Sequence, residues 1–518
     1  MKKIIVLAVI SFFFTGALAA EPVRDRDRYQ GPDPDSGWEQ ARGSDSMEAA
    51  LSYYVSEYGS DDLDGLGETL PFKTLRRAVD AAKNSNVKRI TVIGILDDKS
   101  EAAENGESAF AIGDCGDDEI IITGTGDRAA ELRGGTGKRV VEIYGPAKLR
   151  FEHITISGGD TAALGGGIFV ENGAELTLGT GVTVRDNRAS EGGGIYGLGA
   201  DLYLRGNATI RNNRVTTDEA GGIQIRSGTF FMGDNAEVSG NTGGGIFFWE
   251  SSATIEGDAH ISGNICEFTA AGICLYENSD VVLRGNAAVT GNVAGESGGG
   301  AGGIRSVFVL IENAKVSNNT AEYNGGGIFF VESEIYISGN AEIAGNSAAN
   351  DGGGICAMES VLAVRGASRI AENSAGDDGG GIYIVDTEFI LGESASVEDN
   401  TAVCGGGVCS ELGAYSTIED NAVVQGNSAS GDQGGGGLCV GIDAFMIMKG
   451  GIVRNNEAVY GGGVYIGGGE FKHSGGIISD NNAESGGGVF RRIGSFNAAN
   501  GILRDNTPED FAEPPEWL

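Results

Sequence analysis

An aliphatic residue, two spacers and an asparagine recur thirteen times along the chain, from Val184-Arg185-Asp186-Asn187 to Leu503-Arg504-Asp505-Asn506. Five successive steps, from Val289 through Val316, Ile343, Ile370 and Val397 to Val424, are each 27 residues long. A second motif alternates with the first: a glycine cluster followed by an aliphatic residue, as in Gly325-Gly326-Gly327-Ile328 and Gly486-Gly487-Gly488-Val489, weakest at Ala270-Ala271-Gly272-Ile273. A fixed period of this size identifies a solenoid before any local assignment is made. Within one period, 328–331, 334–338 and 341–344 carry apolar residues at alternate positions. Three strands and three turns per 27 residues make one coil of a parallel β-helix. A propeller blade would need about forty residues and four strands. The expected fold is therefore all-β, a single-stranded right-handed parallel β-helix with an N-terminal capping helix.

Stacking gives the motif residues their roles. Adjacent coils lie about 4.8 Å apart, so equivalent side chains sit over one another. The aliphatic positions then form a continuous internal file, and each coil covers its neighbour's apolar face. Stacked asparagines can pair their amides along the file, and asparagine tolerates the left-handed backbone of a sharp turn. The glycine cluster suits positive φ or close backbone approach. Open ends would present unpaired strand edges, so caps are expected. The stretch 71–82, beginning Pro71-Phe72-Lys73-Thr74, reads as an amphipathic lid helix followed by a strand at 90–93, and Phe511, Pro514, Pro515 and Trp517 follow the last coil.

Lys2 and Lys3, an apolar run over 4–14 and the small residues Ala17-Leu18-Ala19-Ala20 form a cleavable secretory signal, too short to span a bilayer. The expected organisation is a signal peptide over 1–20, a flexible acidic and polar segment over 21–50, the cap and first coils over 51–150, the repeated coils over 151–506 and a tail over 507–518. The expected destination is export: secreted, periplasmic or peripheral to the cell surface, with no membrane span. A net charge of −37 with no basic stretch argues against nucleic acid and anionic membranes as partners. Ninety glycines against eight prolines, set beside Ile, Val, Phe and Tyr, punctuate a fold rather than a disordered chain.

The paired Gly-Gly-x-aliphatic and aliphatic-x-x-Asn motifs over about 150–506 resemble the repeats of the polymorphic outer membrane protein family, whose passenger regions are β-helical adhesins. That family usually has phenylalanine where this chain has Val, Ile or Leu. The segment Tyr54-Val55-Ser56, Gly59, Asp61, Gly65, Pro71-Phe72, Thr74-Leu75 and Ala78 is similar to the opening of many pectin-lyase-like β-helix proteins, a superfamily that includes polysaccharide lyases, hydrolases and binding proteins.

Four groups of residues are candidates for chemistry or binding. The residue after each motif aliphatic should face outward, because strand neighbours alternate. In that column Phe169, Tyr196, Phe247, Phe329, Tyr383, Tyr465 and Phe490 form an aromatic stripe able to stack on sugars or anchor a protein. Acidic residues stack before the motif asparagine at Glu372 and Asp399, and at Asp480 and Asp505. Like charges one coil apart repel, and a calcium ion would relieve that; Ca2+ is the only cofactor suggested. Cys409 and Cys439 fall in consecutive coils within disulfide reach, Cys404 is near Cys409, and Cys266 is a partner for Cys274. His153, His260 and His473 sit in unrelated coils and are expected at the surface. The catalytic signatures of β-helical hydrolases are absent as a set. The expected function is an adhesin-like, non-enzymatic scaffold binding a carbohydrate or surface protein. The alternatives are a lyase or hydrolase acting on an acidic polysaccharide, and a structural envelope protein.

Overall fold

The computed structural model describes residues 51–514, apart from 100–105, 114, 116–117, 127–128, 172, 218–219 and 433. The signal peptide, the segment over 21–50, Pro515 and Trp517 lie outside the described residues. The described chain is a right-handed parallel β-solenoid of about 14 turns with one helix. Three long sheets of 17, 16 and 16 strands run its length, with every pairing between named strands parallel.

One coil shows how sequence becomes structure. Strand Ile328–Val331 lies in the first sheet, Glu334–Ile337 in the second and Glu342–Ala344 in the third. Ile328, Phe330, Ile335, Ile337 and Ile343 point inward and are fully buried. Val289 pairs with Val316 and Val316 with Ile343, so the motif aliphatics form one internal file. In most of the repeated coils the structure adds a short fourth strand that the three-strand reading omits. Ser347–Ala348, directly after the motif asparagine, belongs to a narrow nine-stranded sheet. Two residues are too few for an alternation signal.

The asparagines form a continuous ladder in the interior. Asn319 Nδ2 donates to Asn346 Oδ1 at 3.0 Å and to the Val289 carbonyl at 3.0 Å, while its backbone N–H donates to the same Asn346 oxygen at 3.0 Å. Each amide with an asparagine on both sides thus uses both donors and both lone pairs, the full capacity of the group. The pattern runs from Asn187 to Asn506. At its start the Gly159 N–H donates to Asn187 Oδ1; at its end Asp510 Oδ1 accepts from the Asn506 backbone and Nδ2, standing in for a fourteenth asparagine.

The left-handed residue is not the asparagine but the one before it: Asn318, Gly345, Glu372, Asp399, Asp480 and Asp505 have φ of 56°, 65°, 56°, 56°, 57° and 59°. The glycine cluster has both expected roles. Gly325 takes φ 63°, and a Cβ on Gly327 would lie 2.6 Å from the Gly354 carbonyl oxygen and 3.0 Å from the Asn346 amide.

Helix α1, Leu75–Lys83, closes the first coil. Its buried residues Leu75, Ala78, Val79 and Ala82 form one helical face, packed on strands Ser52–Ser56, Arg89–Ile93 and Ser108–Gly113. The helix begins four residues after Pro71 because Thr74 caps it, accepting from Arg77 N. Asp61 in turn accepts from Lys73 N, Thr74 N and the Thr74 hydroxyl. At the other end Phe471, Phe496 and Phe511 stack at 5.9 and 5.3 Å and lid the last coils.

Replacing Asn346 with Ala strands two ladder donors on Asn319 and the Val316 carbonyl without water. The Asn346→Ala variant is expected to lose about 2–4 kcal/mol in chemical denaturation. The exposed Asn340→Ala, which breaks a surface bond to Asn313, is expected to lose less than about 0.5 kcal/mol. Equal losses would contradict a ladder that bears on stability.

Candidate functional site

The aromatic column lies on the outer side of the first sheet, yet it is not a solvent-exposed stripe. Phe169, Tyr196, Phe247, Tyr383, Tyr465 and Phe490 are only 2–9% exposed, and Phe329 is half-buried. The column is split between small apolar clusters outside the main core. Phe247 packs with Ala220, Ala270 and Cys274, while Tyr383, Tyr465 and Phe490 share a cluster with Val331, Met358, Val385 and four cysteines. The turn into each glycine cluster folds across this side; a Cβ on Gly352 would lie 2.7 Å from Cys356 Cβ. Gln224 is completely buried, and its Nε2 donates to Glu191 in that turn.

Cys404, Cys409 and Cys439 come together within this cover. All seven cysteines are thiols, and these three place their sulfurs within 4.8 Å of one another. Cys409 and Cys439 are register partners as the sequence suggests, but the closest approach is between Cys404 and Cys439, at 3.0 Å. Thiol hydrogen bonds from Cys404 and Cys409 lower Cys439 to about 6 despite its burial. Cys266 and Cys274 pack in separate clusters, each as a thiol. Sequence alone does not reveal that Asp378 joins the group: its carboxylate, Cys409 Sγ and Glu411 lie within 4.8 Å of one another, as do Asp351, Asp377 and Asp378. Burial, then the negative groups of Cys404, Asp377, Asp351 and Glu411, push Asp378 up to about 8.

Glu372, Asp399, Asp480 and Asp505 are all exposed at the left-handed turn position. Asn, Asp and Gly recur there because that backbone favours them. Glu372 pairs with Arg369, and Asp505 with Arg504. Among the described residues, the three-ligand groups within 4.8 Å lie elsewhere.

Of the histidines, His153 and His260 are exposed, but His473 is fully buried. It stacks in register on Met448, in the inward file of the second sheet, beside Phe471. Strict alternation along Glu470-Phe471-Lys472-His473 marks it as inward. Burial lowers its pKa below 6.5, partly opposed by the Gly476 backbone beside the ring. A lowered folded-state pKa means that this residue's stability contribution is complete above pH 6.5 and is lost as acid charges the ring. The thermal midpoint of the natural chain is expected to fall more between about pH 7 and 5.5 than that of His473→Leu; parallel profiles would contradict the assignment.

The more accessible aromatic face belongs to the second sheet, where Tyr415 is exposed and Tyr203, Phe231, Tyr336 and Phe445 are half-buried. One outward file runs Tyr203, Phe231, Thr254, Val282, Val309 and Tyr336, with Arg205 4.3 Å over the Phe231 ring. The neighbouring file places Glu388, Tyr415, Phe445 and Glu470 in successive coils. Tyr415 is 46% exposed, and its ring stacks on Phe445 at 5.1 Å and 16°. Both carboxylate side chains are exposed. Sequence reading misses this patch because its aromatics are scattered among acids and meet only when the coils are in register. The third sheet's outer face instead carries alternating charge: Lys315, Glu342 and Arg369 pair in register at 2.8 and 2.9 Å.

Residues 84–265 match the family model described as a right handed beta helix region. No curated protein matches the chain. Among solved structures, a native lacto-N-biosidase of glycoside hydrolase family 136 from Eubacterium ramulus is similar at 10% identity, with 89% of this chain and 67% of that chain covered and a TM-score of 0.16. That likeness carries no argument about activity. No helix among the described residues is long and apolar enough to cross a membrane. The matched region and the parallel register of the coils make this chain a right-handed parallel β-helix protein.

Proposed function

We propose that this protein is an exported β-helical scaffold that binds a glycan along the outer face of its second sheet. The supporting observation is the patch Glu388, Tyr415, Phe445 and Glu470, one residue per coil. Two near-parallel rings offer apolar faces to the C–H side of a sugar, and the flanking carboxylates accept its hydroxyls. The net charge of −37 favours an uncharged or basic glycan over a polyanionic one. A surface protein is the other partner that such an aromatic patch suits. Secretion or peripheral attachment at the cell surface goes with the amino-terminal signal.

On a glycan array, the chain is expected to retain neutral oligosaccharides. Tyr415→Ala combined with Phe445→Ala is expected to weaken binding by about five- to 150-fold with the fold unchanged, since each lost stacking contact is worth about 0.5–1.5 kcal/mol. Binding unaffected by the double substitution would place the site elsewhere, and no binding of glycan or protein would favour a structural envelope role.

A hydrolytic reading has one observation behind it: Asp351, Asp377 and Asp378 bring carboxylate oxygens within 4.8 Å of one another, and glycoside hydrolysis uses paired carboxylates. Asp378 is 6% exposed, which opposes substrate access. Release of reducing ends from a polysaccharide, abolished by Asp377→Asn, would favour this reading over the binding scaffold.

A further inference from the structure

Three thiols and one carboxylate converge from three successive coils. Asp378 sits at the corner before one glycine cluster, and Cys404 holds the equivalent corner one coil on, joined to Asp378 by a backbone bridge. Cys409 follows on the strand of that second coil, and Cys439 is its register partner in the third. The sulfurs are 0–3% exposed and Asp378 is 6% exposed.

Simple packing accounts poorly for this group. Apart from Gln224, the rest of the column is mostly aromatic and apolar, and burying a carboxylate beside three thiols is unfavourable unless the group is neutralised or paired. Asp378 and Glu411 both lie beside Cys409 Sγ; Asp378 is the more deeply buried of the two, and its backbone bridges to Cys404.

The geometry points to a closed site for a thiophilic divalent cation, zinc above all, with Cys404, Cys409 and Cys439 as thiolate ligands and Asp378 as the fourth. Four protein ligands with no open position form a structural rather than a catalytic centre. Thiolates discriminate against calcium and magnesium. Tetrahedral zinc–sulfur bonds of about 2.3 Å set the sulfurs roughly 3.8 Å apart, so Cys404 and Cys439 separate by less than about 1 Å on binding. Binding releases the thiol protons and ties the three coils together.

The experiment uses the full chain, purified with a non-chelating reductant and reconstituted with Zn2+ or, separately, Co2+. The expected result is one equivalent of zinc by elemental analysis. Co2+ is expected to give a thiolate-to-metal charge-transfer band, and the thermal midpoint is expected to fall when a chelator removes the metal. Cys439→Ser is expected to abolish binding, Asp378→Asn to alter the cobalt spectrum, and Cys274→Ser, outside the group, to change neither. All seven cysteines should titrate as thiols in denaturant with chelator. A folded chain that takes up no metal would overturn the proposal. So would a protein isolated without reductant that holds no zinc and titrates two thiols short, because a disulfide would then explain the cluster.

Discussion

Repetition in register is the constraint on which the molecule depends. A coil cannot bury its own apolar face, so every inward side chain is covered by its counterparts one coil above and below. That requirement turns a sequence period into files of like residues, and the asparagine file is the most demanding. An aliphatic file tolerates Val, Ile or Leu, because area rather than direction matters there. The amide file does not, because each Asn is at once acceptor for the coil before it and donor to the coil after it. A missing member leaves buried donors without water, which costs more than the bond itself contributed.

The same reasoning explains the ends and the surfaces. Asp510 supplies the oxygen that a further coil would have supplied, and α1 covers the first coil while the Phe471, Phe496 and Phe511 stack covers the last. The outer faces of the three sheets then diverge. The third balances charge, the second exposes rings between acids, and the first is hidden beneath its own turns. A binding face and a metal-ligand set can therefore occupy one rod without competing for residues. The second-sheet patch is built from Tyr415 and Phe445, while the thiols lie under the first-sheet cover.

Much of the fold was legible from spacing alone. Val289, Val316 and Ile343 reveal their file because the period is constant, and Pro71, Thr74 and Leu75 mark the lid helix through capping and periodicity. The asparagine stacking was legible too, although the left-handed backbone belongs one residue earlier. That shift explains why Glu372, Asp399, Asp480 and Asp505 look like a metal file in the sequence while sharing only a turn geometry. The outward direction of the Phe169 to Phe490 column follows from alternation, but its burial depends on turns arriving from neighbouring coils, which no local pattern encodes. Asp378 was invisible for the same reason: it meets Cys404 and Cys409 only through register. His473 was legible in principle, since alternation with Phe471 points it inward, but its polarity suggested the surface.

Amide hydrogen exchange followed residue by residue tests the ladder most directly. The backbone N–H groups of Asn319, Asn346 and Asn373 donate to side-chain oxygens one coil on rather than to any sheet. If the ladder is closed along the rod, these amides exchange as slowly as those of the adjoining buried strands, and together. Exchange at the rate of exposed turn amides, with the strands still protected, would show that the asparagines are separate turn residues and would contradict the account.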